Sequence, residues 1–304
     1  MNTIWKKIIF FSSLLTLIFA DSPLHERYHT YEEIQAQLEE WNTEFGNNQN
    51  PSSAYPGSGI IYHLVELGIS TEDGLPFWAV KLSYNANLEE DEPSFLFLGQ
   101  CHAEEIYGVE ITMELINKFL HPSPQYHLQN MQAILQSSEV WVVPTYNPEG
   151  LTVVHGDSVS GDWLQDVSYR KNKRDVNLNG VFDFDNTAEA GNDSDGVDLN
   201  RNYDFNWIFG DGLWEEDYGS NNYQSHFDYY RGESPFSENE TQIVRDFALE
   251  NKFLLSIAYH SSRSGNVAEQ IIYSWMWDGG KSSPDYPVIS SLATGISNLI
   301  PTET

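Results

Sequence analysis

The run SFLFLGQ at residues 94–100 limits what this chain can become more than any other stretch. It is apolar almost throughout and is bounded by the polar loop NANLEEDEP at 85–93 and by a turn after Gln100. A short segment that is apolar at both parities reads as a strand covered on both faces, the kind found inside a layered sheet. The run EVWVVPTYN at 139–147 has the same character. Helical periodicity fills the interval, in EIYGVEITMELINKFL at 105–120 and again over about 127–137. Alternation of buried strands with amphipathic helices specifies an α/β fold, a mixed central β-sheet flanked by helices.

The remaining elements follow from the same patterns. Residues 30–45 read as a helix with Ile34, Leu38, Trp41 and Phe45 on one face, and Thr30 with Glu33 forms a capping box. Strands are expected at 60–68 and 76–84 around a turn at Asp73-Gly74. Ser237 with Glu240 is expected to cap a helix running to about Lys252. Strands at 252–259 and 269–275 and a helix over 287–300 complete the reading. The stretch 156–196, rich in Asp, Asn and Gly, interrupts the pattern as a loop insertion, and a loop of that length is usually functional.

Residues 1–20 read as a secretory signal, with Lys6 and Lys7 ahead of the apolar segment 8–20. Ala20 suits the cleavage site, whereas Ile18 is large for its place, which leaves an uncleaved anchor as the alternative. A secreted, periplasmic or extracellular location is therefore expected, with residues 21–304 forming one domain. A formal net charge of -30 disfavours nucleic acid and anionic membrane surfaces as partners. Cys101 is the sole cysteine, so no internal disulfide forms, and its apolar flank marks it as a buried thiol.

Chemistry concentrates at a few places. His102 and Glu105 form an H-x-x-E pair where a buried strand turns into a helix, and His260 ends another apolar strand. Imidazole nitrogen and carboxylate oxygen are zinc donors, and strand ends of an α/β sheet face its ligand-binding edge. Asn200 and Arg201, in GVDLNRNYDFNW, suit a carboxylate, because guanidinium binds it in a planar fork. Arg170, in SYRKNKR, is a cation able to stabilise an oxyanion. Asp175, Asn177, Asn179 and Asp183 follow the D-x-N-x-N-G spacing of a calcium loop, with Asn186 in place of the usual terminal Glu and Asp193 and Asp195 nearby.

These residues together resemble the zinc carboxypeptidases of the peptidase M14 (carboxypeptidase A-like) family. The resemblance rests on CHAEE at 101–105, TYNPEGL at 145–151, SYRKNKR at 168–174, GVDLNRNYDFNW at 196–207, YRGESPFSENET at 230–241 and IAYHSS at 257–262, in the family's order. It implies His102, Glu105 and His260 as zinc ligands, Arg170 as the group that polarises the scissile carbonyl, and Asn200 with Arg201 as the binder of the substrate's terminal carboxylate. Ser261 would contribute to a substrate subsite. The implied reaction removes C-terminal residues from peptides with Zn2+ required; Ca2+ would be a structural ion on the separate evidence of the loop spacing. The murein-peptide amidohydrolase branch and a non-catalytic peptide- or calcium-binding module are the alternatives. Two departures stand out: Glu104 occupies a position where digestive members carry Arg, and no propeptide separates the leader from the helix at 30. The family's catalytic glutamate and capping tyrosine lie well downstream of the third ligand, so the resemblance further implies a C-terminally truncated sequence.

Overall fold

The computed structural model describes residues 24, 26–47, 52–123, 127–159, 162–182, 195–205, 207, 229–261, 270–273, 276–277 and 281–300. The leader-like segment 1–20 and the calcium-loop positions Asp183, Asn186 and Asp193 lie outside them. The chain divides into two compact units, residues 1–261 and 262–304.

In the first unit, helix α1 (Tyr31–Phe45) begins with the capping box read from the sequence: the Glu33 N–H bonds Thr30 Oγ1, and the Thr30 N–H bonds Glu33 Oε2. Such a cap contributes about 1 kcal/mol. Strands β1 (Tyr62–Ile69) and β2 (Pro76–Leu82) form an antiparallel pair with a bulge between Glu66 and Gly68. Strand β3 (Ser94–Gln100) leads through helices α2 (Tyr107–Leu120) and α3 (Leu128–Leu135) to strand β4 (Glu139–Thr145). Helix α4 (Pro148–His155), which periodicity left unassigned, follows at once, with the Asn147 side chain accepting the Gly150 N–H. A short hairpin of β5 (Asp157–Val159) and β6 (Asp162–Leu164) occupies the start of the expected long loop. Helix α5 (Asn239–Asn251) precedes strand β7 (Leu255–Ala258).

One expectation is corrected at α5. Its N-cap is Glu238, and Ser237 does not cap it. The Ser237 hydroxyl is engaged instead, donating to Glu238 Oε1 at 2.7 Å and accepting from Asn202 Nδ2 at 2.8 Å.

The central sheet has the order β1-β2-β4-β3-β7, antiparallel between β1, β2 and β4 and parallel between β4, β3 and β7. Its inner strands β3 and β4 are apolar at both parities and covered on both sides, whereas the edge strand β7 exposes Ser256 and Ala258. Val80, Leu82, Val140, Val142 and Phe97 face one core with Ile34, Leu38, Trp41, Met113 and Ile116 of α1 and α2. Phe77, Ala79, Leu96, Leu98, Trp141 and Val143 face the other, with Val244 and Phe247 of α5. Each fully buried aliphatic side chain of this kind contributes about 1.5–3 kcal/mol. Helix α2 approaches β3 closely at paired glycines: a Cβ on Gly108 would lie 2.8 Å from the carbonyl carbon of Gly99.

The parallel strands β3, β4 and β7 run in one direction, so their carboxyl ends share one edge. His102 lies two residues past the end of β3, Asn147 two past β4 and His260 two past β7. Adjacent parallel strands thus deliver both histidines to the edge where such sheets bind ligands.

The second unit contains the paired strands β8 (Met276–Trp277) and β9 (Lys281–Ser282) and helix α6 (Tyr286–Ser297). Residues 270–273 are not in a strand, so the one expected over 269–275 is corrected to this shorter hairpin. Gly279-Gly280 supplies a turn signal that places the pairing just after the apolar run.

Candidate metal and carboxylate-binding site

His102 and Glu105 are buried at the β3–α2 turn, and His260 is exposed beyond β7. The two imidazoles converge on one carboxylate. His102 Nδ1 lies 2.9 Å from Glu105 Oε1, and His260 Nδ1 lies 2.8 Å from Glu105 Oε2. Ligand atoms of all three residues fall within 4.8 Å of one another, the one such His/Cys/Asp/Glu cluster among the described residues. The Ser261 N–H donates to Glu105 Oε2 at 3.0 Å, so this residue braces a ligand through its backbone.

Around this cluster lies a shell of charge. Asp198, fully buried, approaches His102 Nε2 at 3.3 Å with Oδ1 and accepts from Arg170 Nε at 2.9 Å with Oδ2. Arg170 also meets Glu104 Oε1 at 3.4 Å and Glu105 Oε1 at 3.7 Å, and its NH2 lies 2.7 Å from His102 Nε2. Burial pushes the Glu105 carboxyl up, but its bonds to His102 and His260 outweigh that and hold it at about 2. Burial acts on Asp198 in the same sense, yet Arg170 and His102 keep it well below the usual carboxylate range. Against burial, Asp198 and Glu104 push the Arg170 guanidinium up.

The residues present fit a zinc ion. Two nitrogens and a carboxylate are a catalytic-type donor set. The three carboxylates Glu104, Glu105 and Asp198 face one guanidinium, an excess of two negative charges when the imidazoles are neutral. A buried excess of that size calls for a divalent cation. Since each Nδ1 faces the shared carboxylate, Nδ1 is the nitrogen that would face an ion held there, and Asp198 stands at the opposite nitrogen of His102.

Arg170 and Arg201 flank Tyr229, their guanidinium carbons 5.2 and 5.9 Å from its ring centroid. Arg201 donates through NH1 to the Asn200 carbonyl at 3.2 Å, while its buried Nε makes no hydrogen bond among the described residues. A buried, unused donor on a cation is the signature of an anion site. Asn200 is exposed beside it, and both belong to a 3-10 turn (Leu199–Arg201) in which the Asp198 side chain accepts the Asn200 N–H.

The structure therefore brings His102, Glu105, His260, Ser261, Arg170, Asn200 and Arg201 to one edge of the first unit. The calcium positions behave differently. Asp175 accepts the N–H groups of Asn179 and Gly180, Asn177 that of Asn179, and Asn179 that of Val181. These side chains accept N–H groups of the turn's own backbone. Cys101 is buried as expected, and burial pushes its thiol up. Asp198 and Asn147 were passed over in the sequence. Their signal was a polar residue set between residues of core type, as in Val197-Asp198-Leu199.

A family model described as zinc carboxypeptidase, peptidase M14, matches residues 54–304. The chain belongs to that family. It is 28% identical over 181 residues to a zinc carboxypeptidase of Saccharothrix mutabilis subsp. capreolus, a match covering 59% of this chain and 33% of that protein. To carboxypeptidase B of Astacus astacus it is 26% identical over 276 residues, covering 88% of this chain and 70% of that one. The carboxypeptidase N catalytic chain of Rattus norvegicus is 25% identical over 254 residues, with 82% of this chain and 46% of that protein covered. Much of the relatives' length therefore falls outside what this chain spans. The fold is that of carboxypeptidase A from Helicoverpa armigera, with a TM-score of 0.60 at 21% identity over 90% of this chain and 55% of that one. Thrombin-activatable fibrinolysis inhibitor has the same fold, with a TM-score of 0.62 at 19% identity over 90% of this chain and 57% of that one.

Proposed function

We propose that the protein to which this chain belongs is a zinc metallocarboxypeptidase, releasing single residues from the free C-terminus of peptides. The observation that carries the reading is the placing of a convergent His-Glu-His set beside two guanidiniums, a buried one paired with carboxylates and a half-buried one whose Nε has no hydrogen bond among the described residues. Zinc, when bound, polarises a carbonyl and lowers the pKa of its water.

His102 Nδ1, His260 Nδ1 and the Glu105 carboxylate hold the ion. Asp198 orients His102 and, through its second oxygen, Arg170. Arg170 is aimed by three carboxylates and stabilises negative charge developing on the scissile carbonyl oxygen. Arg201 and Asn200 take the terminal carboxylate, which restricts cleavage to the last residue. Ser261 lines the subsite beside Glu105. The leader-like segment 1–20 supports export from the cytoplasm as part of the same reading. No helix among the described residues is long and apolar enough to cross a membrane.

The test is hydrolysis by the zinc-loaded secreted product of peptides with free or amidated C-termini. Chelator-reversible release of single residues from free ends alone is expected. Arg201→Met should raise KM about 10–100-fold at unchanged zinc content, the loss expected for charge-assisted hydrogen bonds. Equal cleavage of amidated peptides, or no hydrolysis by the zinc-loaded protein, would overturn the reading; the latter leaves a binder of peptide ends.

A further inference from the structure

We propose that the buried Asn172–Glu238 hydrogen bond is a positioning pair that sets the separation between Arg170 and the Asn200–Arg201 clamp. The inference rests on the reading above, in which one group meets the scissile carbonyl and the other the terminal carboxylate.

The two segments that carry these groups, 166–174 and 195–202, contain no strand of the central sheet, and the 3-10 turn is their one regular element. Beside the Arg170–Asp198 ion pair, backbone bonds and packing of Tyr169, Val197 and Leu199, their relative placement rests on buried polar side chains. Asn172, fully buried, lies two residues from Arg170. Its Oδ1 accepts the N–H of Val197 at 2.8 Å and of Arg174 at 3.3 Å, and its backbone N–H donates to the Val197 carbonyl at 3.1 Å. Its Nδ2 donates to Glu238 Oε2 at 2.9 Å. Glu238, 1% exposed at the start of α5, accepts the Ser237 hydroxyl on its other oxygen, and its N–H donates to Asn202 Oδ1 at 3.3 Å. A relay thus runs from the Arg170 segment through Asn172 and Glu238 to Asn202, the neighbour of Arg201. On the other side, Asn147 Nδ2 donates to the carbonyls of Cys101 at 2.8 Å and Lys171 at 3.1 Å, which ties the same segment to His102.

A peptide's carboxylate and last peptide carbonyl are separated by a fixed covalent length. The substrate cannot follow if clamp and oxyanion cation drift apart, and a misplacement of about 1 Å costs about 100-fold in rate. Asn172 must accept from Val197 and donate to Glu238 at once. Aspartate at 172 would keep the first bond and set charge against charge in the second. Pairing it with glutamine at 238 reverses the polarity of that bond and restores it.

The experiment compares zinc-loaded wild type, N172D, E238Q and the N172D/E238Q double variant on a peptide with a free C-terminus. N172D should lower kcat about 100-fold, with a smaller change in KM and full zinc content. The double variant should recover to within about tenfold of wild type, which mere loss of buried structure would not allow. A wild-type kcat in N172D, or a double variant no better than the single, overturns the proposal. If N172D does not fold, Glu238→Asp carries the test, since it withdraws the carboxylate by one methylene and keeps its charge. A kcat loss of about tenfold supports the pair, and an unchanged kcat overturns it. A wild type that does not hydrolyse refutes the peptidase reading alone. The pair is then read from the side-chain Nε–H NMR signals of Arg170 and Arg201, displaced by N172D and returned by the double variant. Unmoved signals overturn it.

Discussion

Asp198→Asn is the most informative single change at the site, because one buried carboxylate serves three partners, His102, Arg170 and the Asn200 N–H. Its Oδ1 stands 3.3 Å from His102 Nε2 and its Oδ2 accepts from Arg170 Nε at 2.9 Å, with no part of the side chain in solvent. Removing one member of a buried ion pair costs about 3–5 kcal/mol when the other is left bare. Arg170 keeps Glu104 at 3.4 Å and Glu105 at 3.7 Å, and asparagine still offers one oxygen, so the loss should fall near or below the lower limit, about 2–3 kcal/mol. The orienting partner of a metal-bound imidazole contributes about 10–100-fold in metal affinity. Two measurements follow: zinc competition against a chromophoric chelator, and denaturant unfolding of the metal-free protein. The variant should bind zinc about 10–100-fold more weakly and unfold at lower denaturant with an unchanged slope. Wild-type zinc affinity in a correctly folded variant would refute the assignment of Nδ1 as ligating atom and Asp198 as its counterpart.

Further outcomes follow from other parts of the fold. Glu240, fully buried against Thr71, has its carboxyl pushed up to about 8 by burial and by the Glu149 charge. A folded-state value raised above the unfolded one means stability that is complete at acid pH and is lost as pH rises towards 8. Melting temperature should therefore fall less from pH 5 to pH 9 in Glu240→Gln than in wild type, and parallel profiles would contradict the buried acid. Gly99→Ala should destabilise by about 1–3 kcal/mol or more in denaturant unfolding, because a Cβ there would run into the Pro144 carbonyl of β4. An unchanged midpoint would show that β3 and β4 do not approach so closely.

The regular elements were legible because their cause is local. SFLFLGQ and EVWVV are apolar at both parities, and the structure covers those strands on two faces. Thr30 and Glu33 announced the start of α1 by their own hydrogen bonds. Where a competing partner was distant in sequence, the local reading failed. Ser237 has the chemistry of a cap, but Asn202 and Glu238 claim its hydroxyl. Helix α4 was missed because eight residues beginning at a proline show little periodicity, and its cap is an Asn that also bonds Cys101 and Lys171.

The same division runs through the site. Residue type and order in the sequence pointed to the side chains proposed to hold the chemistry: His102, Glu105 and His260 as donors, and Arg170 and Arg201 as cations. Tertiary structure alone decided which atoms face each other. The parallel register of β3 and β7 aligns two histidines more than 150 residues apart on one carboxylate. Burial of Asp198 between His102 and Arg170 joins the His-Glu-His cluster to the cation. Such pairings depend on long-range packing and on the loss of water around charges, which no local pattern in a chain encodes.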